Sequence, residues 1–156
     1  MEEVVHVSAG NDRFKKNELK IWGLLPLSIT LSAKDTGGEL LVFEHNGIQK
    51  GGPPRHVHYA QDEWFYVIEG EFVFEVGDRR LRLGPGETLF APRNVPHGWA
   101  HAGAQQGTLL TTVSPAGTFE TFILETTTQP TLPSPKEVEK AFASHGMKVV
   151  GPPIDI

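Results

Sequence analysis

Pro53-Pro54-Arg55-His56-Val57-His58-Tyr59-Ala60-Gln61-Asp62-Glu63 is the stretch on which the reading of this chain turns, together with Ala91-Pro92-Arg93-Asn94-Val95-Pro96-His97-Gly98-Trp99 further on. His56 and His58 are two residues apart, so on an extended strand both imidazoles point to one face. Glu63 follows a short polar link and heads the apolar run Trp64-Phe65-Tyr66-Val67-Ile68. His97 stands at another turn-to-strand junction. Three neutral imidazoles and one carboxylate converging in a cavity can hold a divalent transition metal and leave positions open.

Around this stretch the chain reads as short strands broken by Gly, Pro, Asn and Asp. Strands are expected over 27–33, 39–46, 64–68, 71–76, 79–83, 88–91, 98–101, 108–113 and 119–125. Phe72, Phe74 and Val76 alternate with Glu71, Val73 and Glu75, the pattern of a half-buried strand, and Gly77-Asp78 suits a tight hairpin. So many strands at this spacing indicate an all-β sandwich or barrel. One short helix breaks the pattern at 134–146: Ser134 is its N-cap, Pro135 its first residue, Glu137 the partner of a capping box and Gly146 its stop. Val138, Ala141 and Phe142 give it an apolar stripe. The link 126–133 leads into it and an extended tail, 147–156, follows, all within a single domain of 156 residues.

A net charge of −5 argues against nucleic acid, and Arg79, Arg80 and Arg82 read as a solvated strand face. There is no cysteine, hence no disulfide framework or thiolate site. No leader pattern and no membrane-length apolar run stand out, so a cytoplasmic protein is expected.

The two motifs resemble those of the cupin superfamily. The first is present as His56-Val57-His58, four residues, Glu63, six residues, Gly70; the second as Gly86, five residues, Pro92-Arg93-Asn94, two residues, His97, three residues, His101. The departures are local. Gly51 and Gly52 displace the leading glycine, Asn94 stands for the second glycine, a residue that also tolerates positive φ, and His101 stands for the closing Asn. The resemblance spans roughly 39–125 and is closest to small single-domain cupins akin to quercetin dioxygenases. It implies a double-stranded β-helix, or jelly-roll barrel, with a core over about 27–125. It also implies His56, His58, Glu63 and His97 as ligands of a divalent metal (Fe, Mn, Ni, Zn or Cu).

Strand parity then supplies a pocket: Phe65 and Val67 share the face of Glu63, Trp99 shares that of His97, and Phe74, Phe90 and Phe122 are further wall candidates. A polar metal floor under aromatic walls suits a small aromatic or enolic ligand better than a sugar phosphate. The resemblance suggests a dioxygenase, with Glu63 as ligand and proton acceptor. The alternatives are a metal-dependent isomerase or other cupin enzyme that does not use O₂, and a non-catalytic ligand binder. His6, His45 and His145 are expected to be solvated and His101 structural. Trp64, Tyr66 and Ile68 are apolar on the opposite face, which either the N-terminal strands or a second subunit would cover; a homodimer is expected.

Overall fold

The computed structural model describes residues 3–16 and 19–156. Eleven strands form two antiparallel sheets among these residues. One sheet has the order β1 (Leu19–Ile21), β2 (Leu25–Leu31), β3 (Leu41–Ile48), β10 (Gly107–Ser114), β5 (Asp62–Glu69), β8 (Thr88–Ala91). The other runs β11 (Met147–Pro153), β4 (Pro54–His58), β9 (His97–His101), β6 (Phe72–Val76), β7 (Arg79–Leu83). From β3 onwards consecutive strands alternate between the sheets, except for the β6–β7 hairpin, as in the expected jelly roll. Inward positions alternate along the long strands: in β10, Leu109, Thr111 and Val113 are buried while Leu110 and Thr112 are only partly so. The β6–β7 hairpin closes through Gly77 at φ 59°, with Val76 opposite Arg79.

The segment 119–125 is not a strand. It lies within an α-helix, α1 (Phe119–Thr127), so the barrel carries two short helices, the second being α2 (Pro135–Ala143). The buried residues Phe119, Phe122, Ile123 and Thr126 recur at three- and four-residue intervals, which is the helical period. Glu120 anchors α1: its carboxylate, itself buried, accepts from the Ser32 hydroxyl at 2.8 Å and from the Ala33 N–H at 2.7 Å. In α2, Ser134 accepts from the Glu137 N–H, one of the two bonds of a capping box, and Pro135 starts the helix. The tail is extended over β11, which pairs with β4, placing Met147 opposite His58 and Val149 opposite His56.

The core divides in two. One cluster, including Trp22, Phe43, Phe119, Phe122 and Phe142, packs both helices onto the mouth of the barrel. The other, including Phe65, Val67, Phe72, Phe74 and Trp99, fills the barrel further in. On the outer face of the six-stranded sheet, Trp64 lies opposite Phe90 across β5 and β8, and the two are 38% and 57% exposed. Arg79, Arg80 and Arg82 form an exposed face, with Arg80 paired to Glu75 at 2.5 Å and Arg82 to Glu71. Among the described residues no helix is long and apolar enough to cross a membrane.

Candidate metal centre and cavity

Three strands bring the four expected ligands together. His56 and His58 come from β4, Glu63 from the start of β5 and His97 from the start of β9, with His56 directly opposite His97. Asn94, at φ 66°, makes the turn before His97, the positive-φ role expected of it. One donor atom from each of the four residues lies within 4.8 Å of the others, and all four side chains are buried.

The tautomers are fixed from outside the cluster. A carbonyl oxygen can only accept, so His56 donates its Nδ1–H to the Pro54 carbonyl at 2.7 Å and His97 donates to that of Val95 at 3.2 Å. The Gln61 amide nitrogen donates to the Pro115 carbonyl at 3.2 Å and to that of Ala116, which turns its oxygen to the Nδ1 of His58 at 3.1 Å. The Nε2 atoms of His56 and His58 therefore present lone pairs inward, while that of His97 is bonded to the Glu63 carboxylate. His58 Nε2 is buried without a hydrogen-bond partner and lies 3.4 Å from Glu63 Oε2, against which His97 Nε2 also rests. Several buried acceptors aimed at one point repel one another unless a cation or proton sits among them. The donor set thus fits a divalent metal, and the acceptors behind the imidazoles are the supports metal-bound histidines use.

The electrostatics agree. Burial acts to raise the Glu63 carboxyl, but the adjoining His58 and His97 outweigh it and hold Glu63 at about 2. Burial, then the neighbouring His97 and His58, push His56 down to about 3, so it is a neutral ligand at ordinary pH. For His97 burial opposes the charged form, yet the Glu63 carboxylate in contact with it leaves the net shift upward. Gln61→Leu removes the acceptor behind His58 and should weaken metal binding about 10- to 100-fold. Competition with a chelator measures this, and an unchanged affinity would remove Gln61 from the site.

His56 and Glu63 open onto a cavity of about 780 Å³. Phe43, Phe65, Trp99, Phe119, Phe122 and Phe142 form much of its wall, and its mouth lies between the β1–β2 turn, α2 and β11. Of the wall candidates read from the sequence, Phe65, Trp99 and Phe122 line this space, Phe122 doing so from a helix. Val67 and Phe74 are fully buried in the inner packing cluster and do not line it. Phe90 points outwards and is no wall residue, because its strand neighbours Leu89 and Ala91 take the inward positions opposite Phe65 and Glu63. Neither nearby arginine offers the cavity a charge: Arg55 is bonded to Glu75 at 2.8 Å, and Arg93 is bonded to Asp62 at 3.0 Å.

The remaining histidines differ from expectation at two positions, His145 and His45, both expected to be solvated. His6 is exposed. His145 is half-buried, bonded to Thr118 and Glu125 at 2.9 Å each. His101 is buried against Phe72, with ring centroids 5.2 Å apart. His45, expected to be solvated, is 4% exposed and lines the cavity. Its Nδ1–H donates to the Pro26 carbonyl at 2.9 Å, and burial pushes its pKa down to about 4. Nothing in the sequence beyond its inward parity with Phe43 marked it. An unfolded chain would protonate this residue near the ordinary 6.5, so the unfolded state binds the extra proton between pH 6.5 and 4. His45 therefore makes the metal-free protein lose about 2 kcal/mol of stability as pH falls from 7 to about 4.5. In His45→Phe that share of the pH dependence should vanish in urea titrations at the two pH values; an unaltered dependence would show that His45 titrates normally.

The comparisons with known proteins bear on the same residues. The cupin domain family model matches residues 47–113. An uncharacterized protein, MJ1618, of Methanocaldococcus jannaschii is 29% identical over 42 residues, 27% of this chain, so the match spans about a third of that relative's length. Among solved structures, an RmlC-like cupin from Shewanella frigidimarina is 28% identical, covers 74% of this chain and 96% of its own, and has a TM-score of 0.57. The polyketide cyclase RemF from Streptomyces resistomycificus is 26% identical over 58% of this chain and 65% of its own, with a TM-score of 0.51. KdgF from Halomonas sp., 21% identical over 70% of this chain and 94% of its own, shares the fold with a TM-score of 0.57. The cupin match over the metal-site strands and the fold shared with solved cupins together support the cupin superfamily for this chain.

Proposed function

We propose that this chain is a metal-dependent dioxygenase acting on a small aromatic or enolic compound. The observation that carries the reading is the meeting of a buried His₃Glu donor set with an aromatic-walled cavity large enough for a multi-ring molecule. When bound, the metal supplies Lewis-acid and redox chemistry at the polar end of the cavity. The chain's own residues do the rest. Phe65, Trp99 and Phe119 hold an aromatic scaffold and keep water away, and a Glu63 oxygen, ionised and facing the cavity, takes the proton of a substrate hydroxyl.

A second reading, redox-neutral proton transfer on a polyketide-like substrate, draws on the likeness to the cyclase RemF. Oxygen-electrode measurements on protein loaded in turn with iron(II), nickel(II) and copper(II) test the two, with a flavonol and a simple catechol as probes. Oxygen uptake that is lost in Glu63→Gln is the expected result. Turnover that persists under nitrogen would favour the redox-neutral reading, and no turnover in either atmosphere would leave a ligand-binding cupin. We further propose a homodimer in which a second copy covers the Trp64–Phe90 face; a monomer mass in solution at micromolar concentration would refute it.

A further inference from the structure

The cavity holds a polar pair that the metal site does not use. Inward positions along β10 run from Val113, opposite Glu63, through Thr111, opposite Phe65 and Phe43, to Leu109, opposite His45 and Val67. Thr111 and His45 are thus diagonal neighbours on the inner face of β10 and β3. They lie one and two pleat repeats, roughly 7 and 13 Å, from the Glu63 row. Both line the cavity. Thr111 is 1% exposed and its hydroxyl has no hydrogen-bond partner among the described residues. A buried hydroxyl left unpaired costs free energy that a ligand atom can recover.

His45 is polarised in one sense only. Because the Pro26 carbonyl takes the Nδ1–H, a neutral ring leaves Nε2 as an acceptor. Burial keeps the ring neutral at ordinary pH, and Phe43 and Trp99 hold its orientation, with centroids 5.3 and 5.2 Å away. A bare nitrogen acceptor beside an unpaired hydroxyl matches a group that both donates and accepts. An alcohol does so in principle, and the aromatic walls select one carried on a flat ring.

We propose that His45 and Thr111 form a hydroxyl-binding subsite, which takes a phenolic or enolic O–H of the substrate remote from the metal ligands. The O–H donates to His45 Nε2, and its oxygen accepts from the Thr111 hydroxyl. The inference rests on the reading that the cavity takes an aromatic or enolic compound. It adds that the compound carries a second oxygen about one or two ring-lengths from the one at the metal end.

The test is binding rather than turnover. Trp22 and Trp99 line the cavity, so ligand entry should quench intrinsic fluorescence. Titrations with 2-naphthol, 2-methoxynaphthalene and naphthalene are run on the metal-free protein and on the zinc-loaded protein, in the wild type, His45→Phe and Thr111→Val. Wild type should prefer 2-naphthol over its methyl ether by about tenfold or more, since a site built around a hydroxyl leaves its own polar groups unpaired when the hydroxyl is missing. Each variant should lose most of that preference while binding naphthalene as well as before. Thr111→Val should also melt no lower than wild type, which guards against a folding artefact in His45→Phe. A preference retained in both variants, no preference in the wild type, or no binding of any probe would each overturn the proposal. Because the discrimination is read on the metal-free protein as well and needs no oxygen, it stands or falls separately from dioxygenase activity.

Discussion

His56→Ala is expected to bring bound metal from about one equivalent per chain to less than a tenth, by elemental analysis of protein purified without added metal. The magnitude follows from what surrounds the ring. His56 faces His97 with centroids 4.8 Å apart and His58 at 5.1 Å, and its ring packs edge-on against Phe142 at 5.2 Å. Removing it leaves two imidazoles and one carboxylate, and the truncated residue puts nothing in place of the lost donor. Loss of a support behind a ligand already costs 10- to 100-fold in affinity, so loss of a ligand should cost about 100-fold or more. Metal should stabilise the wild type by mass action and leave the variant unaffected. A variant that still carries an equivalent of metal and still gains stability from it would refute the ligand assignment.

Phe142→Ala should be the most damaging single change to the cavity wall, lowering stability by about 3 kcal/mol. Phe142 is 4% exposed, stacks on Trp22 at 6.4 Å, meets Phe122 edge-on at 5.1 Å and touches the His56 ring at 5.2 Å. It is the one fully buried residue of α2 and the main anchor of that helix, with only partly buried Val138 and Ala141 packed beside it. The loss should therefore be unequal across the molecule. Amide exchange should rise first in α2 and then in β11, ahead of the inner strands. Uniform acceleration over the whole chain, or a stability loss below about 1 kcal/mol, would show that α2 is held by other contacts.

Much of this architecture was legible because strands and ligands leave short-range marks. The alternation in β6, the Gly77-Asp78 hairpin and the spacing from His56 to Glu63 are all read within a dozen residues. The errors share a cause. Phe119-Glu-Thr-Phe-Ile-Leu-Glu is apolar at both two- and three-residue intervals, and only docking on Trp22 and Phe43 selects the helix. Parity states which face a side chain takes, not how far along the barrel it lies, so Val67 and Phe74 shared the cavity's face without reaching it. Phe90 needed the β5–β8 register, which pairs it with outward-facing Trp64. His45 carried no motif, because its role depends on a carbonyl 19 residues away.

The pairing of β11 with β4 couples two events remote in sequence. The last strand contributes no ligand, yet its Met147 and Val149 sit across from both histidines of the first motif. An ion held by His56 and His58 would stiffen β4 and so hold β11 to the barrel; by reciprocity, detaching the tail would then weaken ion binding by the same factor. The C-terminal strand is thus a handle on occupancy: amide protons of Lys148 and Val149 should exchange more slowly when metal is added, and equal rates with and without metal would break the link.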